Sequence, residues 1–309
     1  MEETDMKRIA IIDIGSNSIK FLVGERRPDG TVATLIDQND PARLGEGLWE
    51  SGILSDAAME RNAAAVARFA ALARETGAEE TVCVGTMALR SAANSADFLR
   101  VVEETCGLAV RVIPGEEEAR LSYLAVRSGL PVDDGEVLVF DTGGGSTEFI
   151  FGRGREVLRR FSLDLGAIRI TERFFHADPV EQGRVEAALQ TIAGELTAAG
   201  IAKQPCRVVG IGGTVTTMGA VAHKLERYDP AVIQGSLLRG EEVQRQIALY
   251  SSLTIPQRRE IPGLPPKRAD VILGGGCIVK SILDCLGARE LTISDRGLRH
   301  GLAWELMNE

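Results

Sequence analysis

Two kinds of apolar pattern alternate along the chain. Short, nearly unbroken apolar runs, each interrupted by a small polar turn, predict β-hairpins over residues 8–23 and 137–152. Longer stretches with apolar residues three or four positions apart predict helices. The helix over 55–77 would bury one face, formed by Met59, Ala63, Val66, Ala70 and Ala73. Alternating strands and helices of this kind are typical of an α/β protein.

The two predicted hairpins are copies of one pattern: a buried strand, an Asp, a tight polar turn and a second strand. Residues 10–24 align without a gap on residues 138–152, at an offset of 128 positions. Five positions are identical, and they pair as Asp13/Asp141, Gly15/Gly143, Ser18/Ser146, Phe21/Phe149 and Gly24/Gly152. A repeat of this length predicts a duplicated domain with its working surface between the two halves.

The turn of each copy suits a phosphate group. Glycine allows a sharp turn and leaves room for a ligand beside the backbone, while Ser and Asn supply short donors. Successive N–H groups then point into one concavity that can hold an anion. The Asp before each turn would repel phosphate, so it is interpreted as a ligand of a divalent cation. The alternative is a pair of ordinary hairpins in which the Asp fixes the turn, but the matched second copy favours phosphate.

Two further stretches carry candidate chemistry. Glu116–Glu118 open a predicted helix, where one carboxylate could act as a general base. Carboxylates at that position also complement the helix dipole, so the residues alone leave both interpretations open. A strand over 206–210 runs into Gly212 and Gly213 at the start of another helix, which indicates a third phosphate or nucleotide site. Tight strand–helix packing is the alternative there.

Other helices are predicted from caps and periodicity. Asp178 is interpreted as a helix cap followed by a first-turn Pro and by Glu181 at the third position. Residues 237–253 are predicted to be wholly helical. A helix over 269–286 contains Gly274–Gly276, which destabilise it and therefore indicate a close neighbour. Packing against another helix is the preferred explanation.

Composition bounds the remaining possibilities. The 309 residues suffice for two domains, assigned to 1–128 and 129–309, with the terminal helix able to pack back on the first. A net charge of −9 and 5% aromatic residues argue against non-specific nucleic-acid binding. The five cysteines include no C-x-x-C pair and are interpreted as reduced. No signal peptide or apolar span is recognised, so a cytoplasmic protein is expected.

The motifs together resemble one family. Asp13-Ile-Gly-Ser-Asn-Ser18 and Asp141-Thr-Gly-Gly-Gly-Ser-Thr-Glu148 resemble the two phosphate-binding loops of the exopolyphosphatase / guanosine pentaphosphate phosphatase family, part of the actin, hexokinase and sugar-kinase superfamily. Further matches span the chain: Gly85-Thr86, Leu89-Arg90, Glu117-Glu-Ala-Arg120, Leu165-Gly166 with Arg169, Gly210-Ile-Gly-Gly-Thr214 and Ser294-Asp-Arg-Gly-Leu-Arg299. The resemblance implies two duplicated actin-like (ribonuclease H-like) α/β domains with an interdomain active-site cleft, in the short two-domain form.

The resemblance also implies an activity and a set of site residues. The activity is Mg²⁺-dependent hydrolysis of the terminal phosphoanhydride of inorganic polyphosphate or guanosine pentaphosphate. The family's catalytic glutamate immediately precedes the alanine of the Glu-Glu-Ala-Arg motif, which corresponds to Glu118. Asp141 is the expected metal ligand, with Asp13 and Glu148 as further candidates. The expected substrate-binding residues are Gly15, Ser16, Asn17, Ser18, Arg43, Arg90, Gly143, Gly144, Gly145, Ser146, Thr147, Arg169, Gly212, Gly213 and Thr214.

One position departs from the pattern, and several questions stay open. Lys20 stands where many relatives carry Arg, and Lys cannot make a bidentate phosphate contact. Lys267-Arg268 is one of several short basic clusters that either bind a polyanion or form solvated surface. Substrate choice, chain-length preference, a monovalent-ion requirement and the direct metal ligands are not decided. A homodimer is compatible with the sequence, since dimers are common.

Rival functions come from different classes. A superfamily kinase or phosphotransferase, or a nucleoside triphosphate phosphatase, would use the same loops but needs a nucleotide base pocket. A non-catalytic sensor or actin-like polymer would not need Glu118 or both Asp residues. The partner expected for the hydrolase is a polyanionic small molecule or polymer, with neither nucleic acid nor membrane.

Overall fold

The computed structural model describes residues 7–28, 30–131, 135–154 and 156–308. The chain divides into two units. One comprises Met1–Ser128 together with Leu298–Glu309, and the other comprises Gly129–Gly297. Each unit has a sheet and a hydrophobic core of its own, as expected for α/β layers that bury apolar faces.

The first unit is built on a five-stranded sheet. Up to the crossing into the second unit its elements are β1 (Arg8–Ile14), β2 (Ile19–Arg26), β3 (Val32–Asp40), α1 (Leu48–Ser51), α2 (Asp56–Glu75), β4 (Glu80–Gly85), α3 (Met87–Ser91), α4 (Ser95–Cys106), β5 (Val110–Val112) and α5 (Gly115–Gly129). The strand order is β3-β2-β1-β4-β5. The first three strands form an antiparallel meander, and β4 and β5 continue the sheet parallel to β1.

Local sequence explains where helices of this unit begin and end. The Ser55 hydroxyl accepts the N–H of Ala58 at 3.3 Å and so caps α2, as predicted. Gly107 ends α4 with φ +72°, a conformation that strains residues with a Cβ. The predicted apolar face of α2 is confirmed, because its alanines and Val66 are buried in the core beside β1 and β2.

The second unit has a six-stranded sheet. Its elements are β6 (Glu136–Thr142), β7 (Thr147–Arg153), β8 (Glu156–Leu163), α6 (Ala167–Phe174), α7 (Gln182–Ala198), β9 (Arg207–Ile211), α8 (Gly212–Ala222), α9 (Pro230–Ile233), β10 (Leu237–Arg239), α10 (Gly240–Ser252), α11 (Ile255–Arg258), a 3₁₀ turn (Pro266–Arg268), α12 (Ile272–Leu286) and β11 (Glu290–Ile293). The strand order is β10-β11-β9-β6-β7-β8. Its β8-β7-β6-β9-β11 portion repeats the order of the first sheet.

The repeat extends to individual strand pairs. Asp13 faces Lys20 across β1 and β2, and Asp141 faces Glu148 across β6 and β7, each pair displaced by 128 positions. A bulge interrupts β2–β3 at Val23/Gly24, and the second sheet has its bulge at Phe151/Gly152, again 128 positions later. The predicted duplicated α/β architecture is therefore confirmed down to strand register.

Two predicted helix boundaries were wrong. α7 begins at Gln182, and its N-cap is Glu181, three residues later than the predicted cap at Asp178. The Asp178 carboxylate instead accepts the N–H of Ile255 at 2.6 Å and lies 3.5 Å from the Arg258 guanidinium. The stretch over 237–253 starts with strand β10, because pairing with β11 satisfies its backbone groups, and helix α10 begins only at Gly240.

The glycine run of α12 marks close helix packing, as predicted. A Cβ added to Gly274 would lie 2.6 Å from the carbonyl oxygen of Ala167 in α6. One added to Gly275 would lie 2.5 Å from the Thr214 methyl carbon in α8. Those distances are shorter than contacts that real Cβ atoms make, so only glycine lets α12 approach both helices.

The last helix, α13 (Leu298–Asn308), belongs to the first unit. Its buried residues pack against Ile9, Ile11 and Leu22 of β1 and β2; they are Leu298, Leu302, Ala303 and Met307. Among the described residues, no helix combines the length and apolarity that crossing a membrane requires.

Candidate active site

The first of the two loops predicted to bind phosphate joins β1 to β2 through Gly15–Ser18. The N–H of Gly15 donates to the carbonyl oxygen of Ser18 at 3.0 Å and closes the turn. Two carbonyls of the loop are tied back: Ser16 accepts from the N–H of Gly45 at 2.8 Å, and Asn17 accepts from the N–H of Arg43 at 3.1 Å. In a planar trans peptide the next N–H points opposite to the carbonyl. These ties therefore direct the N–H groups of Asn17 and Ser18 away from the segment over 42–47.

The second loop, Gly143–Ser146, is closed in the same way. Gly143 N–H donates to the Ser146 carbonyl at 2.9 Å. The carbonyls of Gly143 and Gly144 accept the N–H groups of Ala167 and Ile168, at the start of α6, at 3.0 and 2.8 Å. The same peptide geometry turns the N–H groups of Gly144 and Gly145 to the opposite side.

Three residues predicted to contact substrate each have one hydrogen-bonding group that is already used inside the protein. The N–H groups of Gly15 and Gly143 close their own turns, so these glycines shape the loops and do not offer that donor to a phosphate. Thr147 is fully buried, and its hydroxyl donates to the carbonyl of Leu165 at 2.5 Å. Its side chain thus connects β7 to the segment before α6.

The carboxylates beside the two loops have different surroundings. Asp13 is buried, with Lys20 Nζ 3.9 Å from its Oδ2. Glu148 is also buried, and its Oε1 accepts hydrogen bonds from the hydroxyls of Ser146 at 2.6 Å and Ser162 at 2.9 Å. Those donors compensate the burial of a charge. Asp141, which faces Glu148 in the strand pair, is half-buried.

The third glycine motif lies against Asp141. Gly212 has φ +82°, and a Cβ there would lie 2.0 Å from Asp141 Oδ1, so the carboxylate occupies space that only glycine leaves. A Cβ on Gly213 would lie 2.1 Å from a guanidinium nitrogen of Arg268. Asp141, the start of α8 and Arg268 therefore form one cluster within the second unit. The methyl group of Thr214, a predicted substrate contact, lies against Gly275.

The three adjacent glutamates at the start of α5 have distinct environments. Glu116 is exposed. Both carboxylate oxygens of Glu117 accept from Arg120 at 2.8 Å. Glu118 Oε2 accepts from Arg90 Nη1 at 2.9 Å, and the same nitrogen donates to the carbonyl of Ile113 at 2.9 Å. Glu117 and Glu118 are thus both partly buried carboxylates beside a guanidinium, and Glu118 is the more buried of the two. A carboxylate in this arrangement can take a proton from a bound water while the cation stabilises an anion.

The predicted arginines differ in how they are held. Arg43 has φ +50°, unusual for a residue with a side chain, and its main chain is fixed to the first loop through Asn17. Arg169 lies in the first turn of α6, where its guanidinium contacts Asp164, donating to the main-chain carbonyl at 2.6 Å. The sequence predicted no individual role for Arg268, which belongs to the Lys267-Arg268 basic cluster. Its guanidinium packs over Gly213, and the missing side chain at that glycine is the sequence feature that could have indicated such a close neighbour.

A buried thiol lies close to the first loop. Burial raises the pKa of Cys83 far above its ordinary value, with smaller contributions from Cys106 and Asp13. The raised pKa favours the protonated thiol, which is a poor nucleophile. Among the described residues, no group of three or more His, Cys, Asp or Glu side chains is close enough to hold a metal by itself.

Comparison with known sequences identifies the family. The profile of the Ppx/GppA phosphatase family matches residues 22–309. Exopolyphosphatase 2 of Mycobacterium tuberculosis is 32% identical, over 97% of this chain and 99% of the relative. A guanosine-5′-triphosphate,3′-diphosphate pyrophosphatase of Vibrio vulnificus is 34% identical, and the chain spans 59% of its length. The chain spans 44% of a bifunctional 3-dehydroquinate synthase/phosphatase of Fusobacterium nucleatum, which is 31% identical over 93% of the chain.

Comparison of structures gives the same result. The crystal structure of the Aquifex aeolicus Ppx/GppA family member superimposes with a TM-score of 0.84 at 33% identity, covering 97% of each chain. The predicted actin-like fold is thereby confirmed. The repeated loops in matching register are consistent with this fold. Because the family profile and the superposition both cover nearly the whole chain, the chain belongs to the Ppx/GppA phosphatase family.

Proposed function

We propose that this protein hydrolyses the terminal phosphoanhydride bond of inorganic polyphosphate or guanosine pentaphosphate. The observation that carries the proposal is the Glu118 carboxylate, partly buried and hydrogen-bonded to Arg90 at 2.9 Å. The names of the relatives from M. tuberculosis and V. vulnificus support these two substrate classes. Both substrates are polyanions, and each unit carries one loop whose main-chain donors suit a phosphate.

Main-chain donors hold the phosphates in this proposal. The N–H groups of Asn17 and Ser18 in one unit, and of Gly144 and Gly145 in the other, face away from the tied carbonyls. The side-chain oxygen of Asn17 is buried without a hydrogen-bond partner among the described residues. An unsatisfied buried amide costs about 1–3 kcal/mol, so a ligand that completes its hydrogen bonding would be favoured there. Arg43 and Arg169 add positive charge.

The carboxylates fit Mg²⁺. This ion takes hard oxygen ligands and is commonly held by one or two carboxylates together with substrate phosphates, so a cluster of three protein ligands is not required. Asp141 and Glu148 of the second unit are proposed to hold the ion, and Asp13 is the candidate carboxylate of the first unit. When bound, Mg²⁺ would neutralise phosphate charge and polarise the terminal phosphorus. The serine hydroxyls on Glu148 fix its orientation.

Hydrolysis of the phosphoanhydride needs a base to activate water and positive charge to stabilise the transition state. Glu118 accepts a proton from water, and the water oxygen forms a bond to the terminal phosphorus. The bond from that phosphorus to the bridging oxygen breaks, and the electron pair stays on the shortened chain. Arg90 holds Glu118 in place and stabilises the developing negative charge. Positioning and charge neutralisation dominate phosphoryl transfer, and general-base help adds roughly 10²–10⁴-fold.

The decisive experiment compares two glutamates of the same helical turn. Glu118→Gln should lower kcat for phosphate release from polyphosphate by roughly 10²–10⁴-fold, the usual size of general-base catalysis. Glu116→Gln, which alters an exposed carboxylate, should leave kcat unchanged and serves as the matched control. Equal activities of the two folded variants would exclude Glu118 as the base.

A substrate panel distinguishes the rival activities. Phosphate release is measured side by side from polyphosphates of several lengths, from guanosine pentaphosphate and from ATP. Transfer of labelled phosphate from polyphosphate to ADP would identify a phosphotransferase instead. The Arg268 guanidinium packed on Gly213 gives the second unit a cation beside a helix start, which suits a phosphate of any of these substrates.

A further inference from the structure

The C-terminal helix touches the helix that carries Glu118. A Cβ added to Gly301 in α13 would lie 1.9 Å from the carbonyl oxygen of Leu121 in α5, so the two backbones are in direct contact. Leu121 lies three residues after Glu118, on the same side of α5. Any shift of α13 at this crossing therefore displaces the turn that presents Glu118.

An ion-pair fork joins the same two helices. Arg120 donates through Nε and Nη2 to the two oxygens of Glu117, each at 2.8 Å. It also donates to both oxygens of Glu305 in α13, one of them at 2.9 Å. A guanidinium has five donors in a rigid plane, so one Arg can hold two carboxylates in fixed directions. All three side chains are partly buried, which limits screening by solvent.

Glu118 lies between the two sets of contacts. On one side, Arg90 links its carboxylate to the carbonyl of Ile113. On the other side, the neighbouring Glu117 is fixed through Arg120 to the last turns of α13. We propose that Arg120 and Glu305 are positioning residues, which hold the first turn of α5 so that the Glu118 carboxylate stays directed at the attacking water. The inference rests on the proposed role of Glu118 as general base.

The other end of α13 supplies a matched control. Arg299 donates to both carboxylate oxygens of Asp37 on β3, at 2.6 and 2.8 Å, and His300 Nε2 lies 3.3 Å from the same carboxylate. This cluster fastens α13 to the sheet, whereas Glu305 fastens it to α5. Asp37→Asn removes an anchor of the same helix without altering the fork at Arg120.

The experiment measures kinetics and geometry of Glu305→Gln, Arg120→Lys and Asp37→Asn in the full chain. In Glu305→Gln and Arg120→Lys, kcat for phosphate release should fall on the order of 10- to 100-fold with KM unchanged, as expected when a catalytic group is misplaced by about 1 Å. Crystal structures of both should show the Arg90–Glu118 contact lengthened from 2.9 Å. Asp37→Asn should lower thermal stability while keeping kcat, KM and that contact.

Two outcomes would overturn the positioning role. One is a Glu305→Gln protein with wild-type kcat and an unaltered Arg90–Glu118 contact. The other is an equal fall in kcat in Asp37→Asn, which would assign the effect to general destabilisation. Failure of the proposed function looks different: the wild type releases no phosphate, or Glu118→Gln stays active. The crystallographic distance still decides in that case whether Arg120 and Glu305 position Glu118.

Discussion

The two loops predicted to bind phosphate have the same backbone turn but differ in the charge of the residues beside them. Both close with the same hydrogen bond, from Gly15 to Ser18 and from Gly143 to Ser146. Across the strand pair, however, Asp13 faces Lys20, whereas Asp141 faces Glu148. Residues directly opposite in an antiparallel pair lie on the same face and interact. The first copy therefore compensates its own Asp with a cation, and the second brings two carboxylates together. The two copies have the same strand–turn–strand structure. They differ in the residue opposite the Asp, which is Lys20 in the first copy and Glu148 in the second.

In the proposed function this difference favours the second copy as the metal site, and the largest predicted effect tests that proposal. Asp141→Asn should lower kcat/KM by roughly 10²–10³-fold, since metal stabilisation of the transition state is worth several kcal/mol. Asp13→Asn should cost less, because Lys20 already neutralises that carboxylate. Phosphate release at graded Mg²⁺ concentrations measures both. Equal losses in the two variants would remove the distinction between the copies.

The loops also differ in the segment that donates hydrogen bonds to their carbonyls, which is 42–47 for the first loop and the start of α6 for the second. Substituting a glycine next to each contact tests how closely the two backbones must approach. A Cβ at Gly166 would lie 2.2 Å from the Gly144 carbonyl oxygen, whereas one at Gly45 would lie 3.1 Å from the Ser16 Cβ. Gly166→Ala should therefore destabilise the second unit by about 1–3 kcal/mol, the usual cost of overpacking, and raise KM. Thermal denaturation and KM for polyphosphate are the measurements. Gly45→Ala is the milder counterpart, and a larger effect there would contradict the backbone argument.

Changing Lys20 makes the first copy resemble the second. Lys20→Glu places a carboxylate opposite Asp13, so two negative charges would lie side by side next to the first loop. These charges would repel a phosphate, and KM for polyphosphate should therefore rise. Lys20→Arg keeps the charge and should leave KM close to that of the wild type. Initial-rate kinetics of both variants, with Mg²⁺ saturating, provide the comparison. An unchanged KM in Lys20→Glu would show that this position does not influence phosphate binding.

The smallest predicted effect concerns stability of the first unit in acid. Burial alone would raise the pKa of Asp37, but the hydrogen bond from His300 and the charge of Arg299 outweigh it and lower the pKa below 3.8. A lowered folded-state pKa stabilises the fold above the unfolded value, and that contribution is lost as pH falls through the folded value. Asp37→Asn should therefore reduce thermal stability at neutral pH by about 1 kcal/mol, as for a partly exposed pair.

The pH dependence supplies the check on this prediction. The difference in melting temperature between wild type and Asp37→Asn should shrink as pH drops below the folded-state pKa of Asp37, because the carboxyl is then neutral in both states. A gap that stays constant in acid would mean that the ion pair with Arg299 contributes nothing measurable.

Several parts of the site were readable from local sequence. The hairpins at 8–23 and 137–152 were predicted correctly, because nearly unbroken apolar runs on either side of a small polar turn specify two buried strands. Ser55 was predicted to cap α2, and it does. The glycine pair at 212 and 213 was predicted to begin a helix directly after a strand, and α8 begins at Gly212. The residues alone left Glu116, Glu117 and Glu118 equivalent, and the family resemblance singled out the last of them.

Other features depended on partners distant in sequence. Asp178 has the form of a helix cap but binds the N–H of Ile255, and Leu237–Arg239 pairs with β11 instead of continuing a helix. Local propensity cannot foresee such partners, since tertiary hydrogen bonds outweigh differences of a few tenths of a kcal/mol per residue. The position of Arg268 over Gly213 is of the same kind.

The sequence by itself determined the repeated strand–Asp–turn–strand frame and the family to which the chain belongs. The tertiary structure decided which groups of that frame are used internally. The N–H groups of Gly15 and Gly143 close turns, and the neighbouring carbonyls are tied to the segment over 42–47 and to α6. The tertiary structure also separated the three glutamates by giving Arg90 to Glu118 and Arg120 to Glu117. The reason is physical. Turn formation depends on adjacent residues, whereas the direction of a donor or carboxylate depends on partners that only folding brings within hydrogen-bond distance.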